Sequence, residues 1–84
     1  MYLEIDHPEY YTEGGVETID FIEAKDLNFN LGNTVKYISR AGHKKSSSLS
    51  DDEKALQDLK KAQWYLEREI NRRINEISKH SSGE

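Results

Sequence analysis

The sequence predicts an all-α protein: three helices after an ordered N-terminal loop, the last helix long, the fold completed by oligomerisation. Three observations carry this. Apolar residues recur at helical spacing in two segments, about 16–26 and 28–41. A third segment, 51–78, contains no Gly or Pro. Recognisable start and stop residues stand between the segments.

Residues 1–15 read as an ordered loop. His7-Pro8 biases residue 7 away from helix, and Gly14-Gly15 halt any element before Val16. Tyr10 and Tyr11 lie in this loop, and at least one of them is expected to pack or to touch a ligand. In the first helix Val16, Ile19, Ile22 and Leu27 share one side, while Glu17 and Asp20 share another at i, i+3 spacing. Asn28 is a good N-cap for the second helix. Leu31, Val35 and Ile38 form its expected buried stripe, and Gly42 is its natural stop. A basic, serine-rich loop follows.

Ser50 with Glu53 makes a capping box for the third helix, with Asp51 and Asp52 suited to the positive helix end. Its apolar positions are Leu56, Leu59, Leu66, Ile70, Ile74 and Ile77. At 1.5 Å per residue the segment spans about 42 Å, whereas a compact globule of this chain length is roughly 30 Å across. Ile70, Ile74 and Ile77 are therefore expected to pack on another copy. Residues 1–78 make one helical domain, and 79–84 read as a disordered tail.

The chain of 84 residues is 35% hydrophobic and 33% charged, too apolar for disorder and too polar for a membrane protein. It lacks cysteine, which excludes disulfides and thiolate sites, and its first residues have no signal-peptide pattern. A reducing cytoplasm is the expected location, with no membrane association. A net charge of −4 argues against stable nucleic-acid binding. The charge is unevenly spread. Residues 27–50 hold no acid but carry Lys36, Arg40, Lys44 and Lys45, a local charge of +4. Such an island suits a compact anion better than a polyanion.

Asn33, Lys36, Tyr37 and Arg40 fall at i, i+3, i+4, i+7 on one face of the second helix. Arg can grip phosphate bidentately, Lys supplies a point charge, and Tyr offers a ring and a donor. The bland alternative is an ordinary solvated face. Gly32 weighs against it, because an interior helix glycine costs nearly 1 kcal/mol relative to Ala and usually marks a close approach. Glu17 and Asp20 could hold magnesium, or be a solvated acidic face. Asp58, Lys61 and Tyr65, at i, i+3, i+7, could complete a pocket, or include an intrahelical ion pair. Trp64 is expected in a core or interface, and His7 as a loop-ordering donor or a general base. No GxxxxGK[ST] loop, GxGxxG turn or HExxH helix is present.

HPEYY, GGVETIDFIEA, LGNTVKYISRAGHKK and QDLKKAQWYL, in this order, resemble a family of small tailed-bacteriophage proteins of mostly unknown function. That family includes a phage nucleotide kinase lacking a Walker motif. The likeness runs from about Asp6 to Leu66, and Gln57 departs from it where the family usually has an acid. It implies a site built from His7, Tyr10, Asn33, Tyr37, Asp58, Lys61 and Tyr65, with Lys36, Arg40 and Lys44 acting on phosphoryl groups and Glu17 and Asp20 on metal. The implied activity is nucleoside-monophosphate-kinase-like, with ATP and Mg2+ as cofactors, in a host cytoplasm. The alternative is a cofactor-free protein that sequesters a nucleotide or cyclic-nucleotide signal of host defence. Either way the expected partner is a small phosphorylated ligand.

Overall fold

Two helix starts in this chain are set by side chains that close the exposed end of the backbone ladder, and two helix stops by residues of positive φ. The computed structural model describes residues 15–43 and 45–81, in which three helices and no strands occur: α1 Thr18–Ala24, α2 Phe29–Arg40 and α3 Asp51–Ser81. The loop expected over 1–15 lies, apart from Gly15, outside the described residues. Among the described residues no helix is long and apolar enough to cross a membrane.

Helix α1 stops short of Asp26 because that residue takes the left-handed conformation, φ 54°. The Leu27 N–H then reaches back to the Ile22 carbonyl at 3.1 Å, and the Asp26 N–H to the Glu23 carbonyl at 3.0 Å. This double closure normally favours glycine, and Asp is one of the few other residues that tolerate it. Asn28 then caps α2: its Oδ1 accepts from the Leu31 N–H at 2.9 Å. Beyond Arg40 the chain turns through Ala41 and Gly42, the latter at φ 84°. The capping box opens α3 as expected. Ser50 Oγ accepts from the Glu53 N–H at 3.1 Å, and Glu53 Oε1 accepts from the Ser50 N–H at 2.9 Å. The Ser50 N–H, followed by the Ser50 hydroxyl, holds the Glu53 carboxyl below its usual pKa. The helix continues through Lys79 and His80, residues assigned to a tail on sequence grounds.

Packing is where structure and expectation part. Of the stripe on α2, Leu31 and Val35 are half-buried but Ile38 is exposed; Gly32 and Thr34 are the buried positions. Val16, which precedes α1, and Ile19 on α1 are exposed as well, and Trp64 is 56% exposed, so it is not a core residue. On α3 the side turned toward α2 is mostly polar: Lys54, Asp58 and Glu69 are buried there, with Ala62 between them. Among the described residues Ala62 is the one buried apolar side chain. The glycine at position 32 has a structural purpose, since a Cβ there would sit 3.3 Å from Ile22 Cγ2. Its absence lets α1 lie on α2.

Glu69 fastens the start of α2 to α3. Its carboxylate accepts from Asn28 Nδ2 at 3.0 Å and Asn30 Nδ2 at 3.3 Å. On its own helix it takes Arg72 at 2.7 Å and Arg73 at 2.6 Å. The two guanidiniums, followed by the Asn28 amide, hold its pKa far below the usual carboxylate range. A depressed acid stabilises the fold fully above its unfolded value, near 4.3, and loses that contribution as pH falls toward the folded value. Glu69→Gln should therefore lower the thermal midpoint at pH 7 by at least about 5 °C, with the gap to wild type narrowing between about pH 4 and pH 2. A gap unchanged across that range would show that the charge contributes nothing.

Candidate functional site

Two helices meet at Tyr37. From α2 come Lys36 and Arg40, flanking it in sequence; from α3 come Asp58, Lys61 and Tyr65, placed along one face by their i, i+3, i+7 spacing. The Tyr37 and Tyr65 rings are nearly parallel, 11° apart with centroids at 6.0 Å. Around Tyr37 stand three cations: Lys36 Nζ at 4.7 Å from the ring centroid, Arg40 Cζ at 5.2 Å and Lys61 Nζ at 5.4 Å. The electron-rich ring face attracts each of them.

Beneath this group Asp58 is fully buried. Its Oδ1 lies 3.2 Å from Lys54 Nζ and 3.5 Å from Arg40 Nε. Lys54 also donates to Gln57 Oε1 at 2.9 Å. Among the described residues the cluster thus holds four cations and one carboxylate, two of the cations paired with it. Asp58 pairs with Lys54 at i+4 spacing, not with Lys61, so Lys61 keeps its charge for the ring and for whatever lies above it. A site of net positive charge beside a low-dielectric protein wall concentrates anions. Three cations at different angles around a stacked phenol can grip the oxygens of a phosphate, with an aromatic plate beside them for a base or sugar.

Next to Lys36 lies a shallow cavity of about 240 Å3. Ile22, Leu27 and Phe29 supply apolar walls, and Asn33 and Lys36 the polar side. Asn33 Nδ2 donates to the Phe29 carbonyl of its own helix at 2.9 Å. Phe29 in turn meets Tyr65 edge-on, with centroids 5.9 Å apart. A larger open groove of about 410 Å3 is lined by Trp64 together with Asn30, Arg68, Asn71 and Asn75. Arg68 stacks over the Trp64 ring at 5.6 Å. Arg68 and Arg72 line that groove too, but Glu67 lies beside them and Arg72 is tied to Glu69, so the Tyr37 cluster is the better anion site.

Of the residues singled out by sequence, Lys36, Tyr37, Arg40, Asp58, Lys61 and Tyr65 are brought together. Asn33 borders the adjoining cavity. Glu17 is the N-cap residue of α1, half-buried and without a capping hydrogen bond from its side chain, and Asp20 is exposed one turn on. Among the described residues no group of three or more His, Asp or Glu side chains could hold a metal ion. His7, Tyr10 and Lys44 lie outside the described residues. Sequence reasoning missed Lys54, whose i, i+4 relation to Asp58 was the available signal.

No curated protein and no solved structure matches the chain. A family model does match, over residues 5–67. The matched span contains the Tyr37 cluster entire, together with His7, Tyr10, Glu17, Asp20 and Lys44. Because it covers most of the chain, the protein belongs to the DUF3310 family of proteins of unknown function.

Proposed function

We propose that this protein binds a phosphorylated nucleotide at the Tyr37 cluster, and that it transfers the γ-phosphoryl of ATP to a deoxynucleoside monophosphate. The observation that carries the binding reading is the convergence of Lys36, Arg40 and Lys61 around one tyrosine ring, with the buried Asp58 carboxylate beneath. Phosphate oxygens sit among the cations, and the base or sugar rests on Tyr37, Tyr65 and the apolar walls beside Lys36. The transfer reading leans on the likeness to the phage kinase. In it the bond from γ-phosphorus to the β-bridging oxygen breaks, a bond to an acceptor phosphate oxygen forms, and ADP leaves. Lys36 and Arg40, with Lys44, stabilise charge on the transferring group. Glu17 and Asp20 are the residues that would hold magnesium, which supplies charge neutralisation between the β- and γ-phosphates.

A second reading is a non-catalytic protein that sequesters one nucleotide or cyclic-nucleotide signal. The small cavity beside Lys36 favours it, since about 240 Å3 accommodates one ring system, below the roughly 300 Å3 at which typical ligand pockets begin. In either reading a bacteriophage origin and a host-cell cytoplasm rest on the family likeness.

A thermal-shift screen of nucleoside mono-, di- and triphosphates and cyclic dinucleotides, with and without magnesium, tests binding. Saturation at 100 times the dissociation constant adds about 2.7 kcal/mol to stability. Lys36→Ala and Lys61→Ala should each weaken the best ligand about ten- to a hundredfold, the loss of one charge-assisted contact. Arg40→Ala is a less clean probe, because it also removes a partner of buried Asp58. Unchanged affinity in the Lys36→Ala, Lys61→Ala double variant would return this face to solvent.

Turnover separates the two readings. The pair Glu17→Gln, Asp20→Asn should abolish magnesium-dependent transfer from ATP while leaving nucleotide affinity nearly intact. Tight metal-independent binding by wild type, with no nucleotide turned over, would instead establish sequestration.

A further inference from the structure

Helix α3 carries two distinct faces. At about 100° per residue, Lys54, Asp58, Ala62, Tyr65 and Glu69 fall within an arc of roughly 80°. That arc packs on α2. Leu56, Leu59, Leu66, Ile70, Ile74 and Ile77 fall within a second arc of roughly 80°, centred about 120° round the helix. All six are exposed, by 42% at Leu66 to 66% at Ile77. The helix therefore turns its polar face inward and its apolar face outward, the reverse of a surface helix in a monomer.

We propose that two copies of this chain pair along this outward stripe. The spacing is that of a helix–helix seam: positions 56, 59, 63, 66, 70 and 77 alternate steps of three and four, allowing for one full heptad at the end. Gln63 is the single amide in that row and Ile74 widens it. The stripe runs about 32 Å. Its exposed apolar area is on the order of 500 Å2, at the upper limit of what a monomer leaves open. With the flanking stems it approaches the roughly 800 Å2 per partner of a stable interface.

The shape of the molecule agrees. Its radius of gyration is 16.3 Å with extents of 51 × 38 × 22 Å, against about 12 Å for a compact domain of this length.

The need for a cover is constitutive, since among the described residues Ala62 is the one buried apolar side chain, and a second copy is the partner present whenever the first is. Charge favours a protein over a lipid surface. The stripe is edged by Lys60, Glu67 and Arg73, of mixed sign, and the net charge is −4, whereas helices that lie on membranes carry an excess of Lys and Arg. Asp58, Lys61 and Tyr65 lie about 150° round α3 from the centre of the stripe, so pairing leaves both Tyr37 clusters open. The proposal therefore stands or falls independently of nucleotide binding.

Light scattering on the full chain at tens of micromolar should give twice the 9.8 kDa chain mass. Ile70→Asp should raise the dissociation constant about a hundredfold or more. Because that variant could unfold, a second measurement uses the absence of native cysteine. Leu66 lies at the middle of the stripe, so Leu66→Cys should form a disulfide-linked dimer on mild oxidation whether the helices run parallel or antiparallel. Asn75→Cys, on the opposite side of α3, should not. A monomeric wild type, an assembly of any size in which Leu66→Cys fails to cross-link, or equal cross-linking of the two cysteines overturns the proposal.

Discussion

Two carboxylates on α3, Asp58 and Glu69, hold α2 in place, and nearly everything else in the structure follows from that attachment. They lie eleven residues apart, about three helical turns, and meet opposite ends of α2. Glu69 takes the amides of Asn28 and Asn30 at its start, and Asp58 faces Arg40 at its close. Between them Tyr37 and Tyr65 stack. Because the helices join through polar groups, α3 has no need to spend its leucines and isoleucines on α2. They remain available on the other side.

An interface of this kind is strongly directional and weakly tolerant. Apolar packing survives small shifts, whereas a buried carboxylate deprived of its cation is left with an uncompensated charge, a loss of about 3–5 kcal/mol. The same property shapes the Tyr37 cluster. Arg40 is positioned from below by Asp58, which fixes its guanidinium while Lys36 and Lys61 remain answerable to the ring and to a ligand. Rigidity in one cation and freedom in two others suit a site that must first attract an anion and then orient it.

Local signals were legible in the sequence. Asn28, Gly42 and the Ser50–Glu53 box mark their helix ends correctly, because capping chemistry depends on near neighbours. The row Lys36, Tyr37, Arg40 and its counterpart Lys61, Tyr65 were legible too, since a fixed angle per residue places them on one face. What periodicity cannot say is which face meets which neighbour. On α3 the polar and the apolar rows are equally regular, and ordinary expectation turns the apolar row inward. Lys54 and Glu69 look like solvated charges until α2 is laid over them. The end of α1 was obscure for a different reason. Asp26 does there what glycine usually does, and nothing in its neighbours announces it.

Asn28 makes the demands of this architecture concrete. Its Oδ1 closes the first turn of α2 on the Leu31 N–H, while its Nδ2 donates to Glu69. Capping by itself would accept Ser, Thr, Asp or Asn. Ser and Thr offer one short hydroxyl, which cannot span both directions. Asp would cap equally well but would set a second carboxylate where the amide now lies, 3.0 Å from Glu69. Only a side chain that accepts at one atom and donates at another serves both helices. The set of residues this position can hold thus contracts to Asn, so a site that looks interchangeable from its own helix becomes singular once the neighbouring helix is counted.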